Sequence, residues 1–274
     1  MRAEVRAAIA IAKKDLKTFF RYRIAVVSQI FVLLYQGVIP GLLFGASFAV
    51  GGRVVGLEAT VGTENLAGFI FMGGVMSGLI ATGFWSMAMG IRNEMDAGTL
   101  EPSWLTPTHH ETLLIGRALG GVVWQVIGQT ALFAIGIGFF GLRFRMEILY
   151  AVPAVLVAVV AMVGVAFLLA AGVVLIREAN FFIDTTNFLF SIASGTAFPV
   201  TLLPAVFLPV ALLLPTTYAV DLLRVNAIGQ RPLFDPMLEW AALLATTALS
   251  LVVGRWAFAR AVRRMRVRGT LAQY

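Results

Sequence analysis

The feature that most constrains this chain is the length of its uncharged tracts. Residues 24–50, 65–91, 118–142 and 148–176 contain no Asp, Glu, Lys or Arg. An apolar helix needs about 20 residues to cross a hydrocarbon core about 30 Å thick, so each of these tracts reads as a membrane span. A fifth tract, 185–220, is also uncharged but is 36 residues long. As a single helix it would measure about 54 Å, too long for one crossing, yet it is too short for two spans and a turn. A sixth span, 236–259, ends beside Arg255, whose charged head can snorkel toward the interface.

Composition agrees. Only 13% of the residues are charged, 59% are hydrophobic, and mean hydropathy is +0.90. A soluble domain carries about 25% charged residues, so an ordinary water-soluble enzyme is excluded. The chain has no cysteine, which removes disulfides, thiolate metal sites and a cysteine nucleophile. Its two histidines, His109 and His110, are adjacent, too few for a histidine-built metal centre. The net charge of +7 does not indicate nucleic-acid binding, because the basic residues cluster at the two ends of an apolar chain. There they act as topology signals facing an anionic leaflet.

With six crossings and a cytoplasmic N-terminus, 16 basic residues lie inside and 5 outside. A seventh crossing would export the arginine-rich tail and destroy this bias. The expectation is an all-α polytopic protein of an inner or plasma membrane, with six spans and both termini cytoplasmic. The long tract then crosses once, over 181–198 beside Asp184. Its prolines at 199, 204, 209 and 215 break the rest into short helices that re-enter the outer leaflet over 200–220. A kinked, tilted span followed by a loop is the alternative. Residues 2–20 place Val5, Ile9, Ala12, Leu16 and Phe19 on one stripe with Arg2, Arg6, Lys13 and Lys17 off it. That pattern predicts a helix lying in the membrane interface, not a cleaved signal peptide. The basic tail 260–274 completes the single membrane domain.

The loop 92–117 is the most organised polar segment. Gly98 ends one element, and Thr99 is placed to N-cap a short helix starting Leu100-Glu101-Pro102, which Pro107 stops. Thr108 and Glu111 have capping-box spacing for the helix of the third span. The short helix presents Leu100, Trp104 and Leu105 as apolar knobs, which suits docking to a soluble partner. Glu94 and Glu101 are positioned to pair with basic groups on that partner. A merely well-capped loop, with Trp104 as an interfacial anchor, is the competing reading.

Glu94-x-x-x-Gly98-Thr99-Leu100-Glu101, then Leu105-Thr106-Pro107 and Leu113-Leu114-x-Gly116-Arg117, resembles the cytoplasmic signature of type-2 ABC exporter permeases. Ser194-Gly195-x-x-Phe198-Pro199, Leu203-Pro204 and Leu214-Pro215-x-x-Tyr218 resemble that family's fifth-span and outer-leaflet segment. Pro102 departs from the pattern, where a helix former is usual. The resemblance implies a permease dimer, homomeric or paired with a related permease, working with two copies of a cytoplasmic ABC ATPase. It also implies that 2–20 is the connecting helix and 99–107 the coupling helix. No phosphate-binding loop exists here, since every lysine (Lys13, Lys14, Lys17) lies outside any Gly-x-x-x-x-Gly-Lys pattern. ATP and Mg²⁺ are therefore expected on the partner, and no cofactor on this chain.

Two other classes were weighed. An intramembrane enzyme needs paired catalytic groups at one depth, and Asp184 is the main ionisable group within a span. A proton-coupled secondary transporter wants more buried acids and inverted repeats. For an exporter, the pathway residues expected are Thr82 on span two and Asn187, Ser191, Ser194 and Phe198 on span five, with Asn187 and Ser191 on one face. The absence of a ring of charges along the path argues against small inorganic ions, and the phenylalanines of span five suit an apolar or amphipathic cargo; the resemblance implies a drug, antibiotic, lipid or lipid-linked glycan.

Overall fold

The structure, a computed structural model, describes residues 2–21, 24, 27–28, 31, 39, 49–50, 53–54, 57–99, 102–103, 105–106, 109–139, 141–174 and 179–268. Almost all of this is helical. The strand pairing among the described residues is that of β1 (Ala49–Val50) with β2 (Arg53–Val54), antiparallel and two residues long. The helices are α1 (Arg2–Arg21), α2 (Leu57–Val61), α3 (Leu66–Asp96), α4 (His110–Gly138), α5 (Val152–Val173), α6 (Ala179–Ala193), α7 (Leu208–Leu213), α8 (Pro215–Ile228) and α9 (Pro236–Arg268). A 3-10 turn, Met146–Ala151, leads into α5.

Among the described residues, four helices are long and apolar enough to cross a membrane: Leu66–Asp96, His110–Gly138, Met146–Val173 and Pro236–Met265. The expected first span, 24–50, falls almost wholly outside the described residues.

The stretch before Val173 is the most apolar of the four, with a mean hydropathy of 2.9, and α5 sits centrally. Its small residues Ala154, Ala158, Ala161, Ala166 and Ala170 are buried against α3, α4, α8 and α9. In lipid, apolar burial gives no net drive between helices, so close packing and polar bonds hold them together. The α5–α9 contact shows this. A Cβ on Gly254 would lie 2.0 Å from the Gly164 carbonyl oxygen, so only glycine permits the approach. Ser250 Oγ donates to the Ala161 carbonyl at 3.3 Å across the same seam.

Several element ends differ from the sequence expectation. The loop 92–117 shortens to 97–109, because α3 continues to Asp96 and α4 begins at His110. Charges locate where a helix leaves the membrane, not where it stops winding. The helix expected over 181–198 is α6, which ends at Ala193 where Ser194 and Gly195 turn the chain. Its 15 residues measure about 22 Å, less than a hydrocarbon core. Beyond it, a 3-10 turn (Val200–Leu202), α7 and α8 are short helices, as the prolines predict. Pro209 and Pro215 sit in the first turns of α7 and α8 and so start helices rather than kink one. α8 runs on to Ile228, and most of it is buried.

Candidate functional site

The helix α1 lies along α4. Ala8 packs against Gly116, and a Cβ there would come within 2.9 Å of the Ala8 carbonyl oxygen. Phe20 meets Trp124 edge-on at 6.1 Å. At the start of the pair the Thr112 hydroxyl donates to the Glu4 carboxylate, and His109 Nδ1 lies 3.6 Å from it. The hydrogen bond from Thr112 is the main cause holding Glu4 below the ordinary carboxylate range, with His109 adding to it.

Facing α1 and α4, α3 contains a π-helical turn at Trp85–Met89. Such turns cluster at functional sites, because the extra residue re-aims side chains without ending the helix. Here Trp85, Ser86 and Met89 border an open recess of about 870 Å³ between α1, α3, α4 and α6. Lys14 and Asp15 come from α1, Arg117 and Trp124 from α4, and Asp184 and Asn187 from α6. Its walls therefore combine indole rings, small residues and both signs of charge.

Of the expected pathway residues, Thr82 and Asn187 line this recess. Thr82 Oγ1 donates to Gln125 Oε1 at 2.6 Å. Asn187 Oδ1 and Ser191 Oγ, one turn apart on α6, are buried atoms that meet no hydrogen-bond partner among the described residues, and Gln125 Nε2 is another. The other two are placed elsewhere. Ser194 is fully buried and shares a 2.5 Å hydrogen bond with Thr216, while Phe198 is half-buried in the turn after α6. The uncharged tract ran through both, and nothing in sequence marked the helix end between Ser191 and Ser194 except Gly195.

The loop after α3 is organised from its own backbone. Gly98, at φ +64, closes α3, and Thr99 N–H and Oγ1 both donate to the Glu94 carbonyl. Thr99 thus caps the end of the preceding helix. Ser103 N–H bonds to the Thr99 carbonyl at 3.2 Å, and Pro102 and Ser103 are helical. Leu105 is 79% exposed. Leu100, Glu101, Trp104, Pro107 and Thr108 lie outside the described residues.

The expected capping box is corrected here, and Glu94 has a partner within the chain. Glu94, expected to pair with a partner, forms an ion pair with Arg117, whose side chain lies over Gly90. The pair joins α3 to α4 within the chain. The capping box is replaced by an N-cap at His109 with no side-chain bond, and Glu111 pairs instead with Arg255 of α9 at 3.0 Å.

A family model for ABC-2 type transporters matches residues 6–228. The chain belongs to that family. No curated protein matches it. The permease is thus a membrane-embedded subunit of an ABC transporter and a partner of an ABC ATPase subunit. Family membership removes the support for a secondary transporter. The match spans α1, the recess, the 97–109 loop and α8, so the residues described above lie inside the family domain.

Sequence reasoning missed a second polar cluster of the permease, at the opposite end of α3. Arg224 of α8 is 2% exposed. Its Nε donates to the Phe69 carbonyl at 3.2 Å, Nη1 to Gly195 at 2.7 Å and Nη2 to Thr196 at 2.6 Å, and the guanidinium stacks on the Phe69 ring. Asp221, Gln230 and Glu239 are buried beside it. The readable signal was present: Glu239 lies in the first turn of an otherwise apolar span, and acids there are rare without a role.

Proposed function

We propose that the permease forms the translocation pathway of an ABC exporter as a dimer, driven by two copies of a separate ATPase, for an amphipathic or lipidic cargo. The recess carries this reading. It opens among four helices, offers ring faces from Trp85 and Trp124, and sits beside polar atoms of α6 that no group among the described residues satisfies. A ligand with an apolar body and a polar head suits such walls, because unsatisfied buried acceptors favour a donor-bearing guest. Six spans with both termini cytoplasmic fit the 16-to-5 division of basic residues. In that frame α1 is the interfacial connecting helix, and α7 and α8 stand in the outer leaflet, where irregular backbone is tolerated only against protein.

Coupling to the ATPase runs through 99–107. Glu94–Arg117 and Glu111–Arg255 brace its two ends against α4 and α9, so force applied to the loop reaches the helices that wall the recess. Leu100, Trp104 and Leu105 are the docking knobs. A central desolvated aromatic anchor costs about 2 kcal/mol or more on truncation, or roughly 30-fold in affinity. Trp104→Ala is thus expected to yield a well-expressed permease that loses its ATPase on co-purification and the cargo-stimulated part of hydrolysis. A variant that keeps both would refute docking at this helix.

A further inference from the structure

The cluster at the start of α3 contains two carboxyl groups that lie outside the recess. Asp221 of α8 is 9% exposed and Glu239 of α9 is 0% exposed. They are neighbours, and each takes one backbone amide of the loop 229–235. Leu233 N–H donates to Asp221 Oδ2 at 2.9 Å, and Phe234 N–H donates to Glu239 Oε1 at 2.8 Å. Gln230 Nε2 adds a third bond, 2.6 Å, to Asp221 Oδ1. Two successive amides are therefore stapled by two acids from different helices.

The remaining valences do not close. Among the described residues no donor reaches the buried acceptors Glu239 Oε2 and Gln230 Oε1. Arg224, three residues along α8 from Asp221, spends its three bonds on carbonyl oxygens. Among the described residues neither acid has an ion-pair partner. Among the described residues Tyr218 and Arg224 of α8 face the pair, the Tyr218 hydroxyl donates to the Leu212 carbonyl, and the Arg145 guanidinium lies over Gly229 of the same loop. Arg224 brings one positive charge to the cluster, enough to offset one ionised acid, so a second buried carboxylate beside the first would stand uncompensated, and its repulsion and lost hydration would each cost several kcal/mol. A hard metal cation would need six or more oxygens, but three of the four carboxylate oxygens already accept bonds and a guanidinium lies nearby. One proton between the acids supplies the missing donor.

We infer that Asp221 and Glu239 form a proton-binding site that fastens the loop 229–235 to the ends of α8 and α9. With the proton bound, the acids attract each other and hold both amides. Without it they repel, and the loop is released. The inference does not depend on the cargo or on the direction of transport.

The chain's lack of cysteine makes the test direct. Arg231 is exposed in this loop, and Arg231→Cys accepts a nitroxide spin label on the whole permease in lipid nanodiscs. Label mobility is read from acidic to alkaline pH. The expected result is an immobile label at low pH and a rise of the mobile fraction that follows a one-proton curve. Glu239→Gln places an amide N–H where the proton sits and keeps the acceptor for Phe234, so its label should stay immobile throughout. Glu239→Ala should be mobile at every pH. A Gln variant that titrates like the parent, or an Ala variant that stays immobile at high pH, overturns the proposal.

Discussion

The two ends of α3 solve the problem of placing charge in an apolar protein in opposite ways. At its start, Arg224, Asp221 and Glu239 are buried, and each bonds to backbone groups of another element. At its far end the ion pairs join side chains, Glu111–Arg255 is partly open to solvent, and a recess of about 870 Å³ lies beside the π-helical turn. A guanidinium locked onto three carbonyls fixes three chain segments together. An open ion pair such as Glu111–Arg255 braces elements while letting them shift. The first end is built as a clasp, and the second is built to accommodate a guest and transmit motion.

The largest expected effect tests the clasp. Arg224→Met removes the three donors and leaves the carbonyls of Phe69, Gly195 and Thr196 short of partners in a buried site. It should lower stability by about 3 kcal/mol or more, read as a fall in thermal midpoint in detergent. A variant within about 1 kcal/mol of the parent would mean that helix packing alone holds this end, and the contrast would fail.

The smallest effect comes from the far end. The Arg255 side chain is 70% exposed, so its pair with Glu111 is screened by solvent. Arg255→Ala should change stability by less than about 0.5 kcal/mol in the same assay, because exposed pairs are individually weak. If it matched the loss at Arg224, the far end would be as rigid as the start and unsuited to transmitting movement.

The sequence made the far end legible and the start obscure, for physical reasons. Gly98, Thr99 and the spacing from Glu94 to Arg117 are local signals, so the loop and its boundaries could be approached from spacing and capping alone. Even there, the Glu94–Arg117 pair is not legible, since Arg117 is 23 residues away and meets Glu94 only once α3 and α4 pack. The clasp joins α8 to segments 28, 29 and 155 residues away through Arg224, and no local pattern encodes these contacts. The turn at Gly195 was hidden for a related reason. The uncharged tract continues through it, and hydropathy does not register where a backbone stops being helical. Thr82 and Asn187 were found because small and polar residues within apolar tracts are conspicuous. Trp85 was passed over because a π-helical turn has no sequence mark.

The account rests on the two ends of α3 facing opposite sides of the membrane, with the 97–109 loop on the ATPase side. Single cysteines at Glu58 and Leu105, both exposed, test this with a membrane-impermeant thiol reagent on right-side-out and inverted vesicles. Leu105→Cys should be labelled only in inverted vesicles, from the cytoplasmic face, and Glu58→Cys only in right-side-out ones. Labelling of both positions from one side would contradict the arrangement.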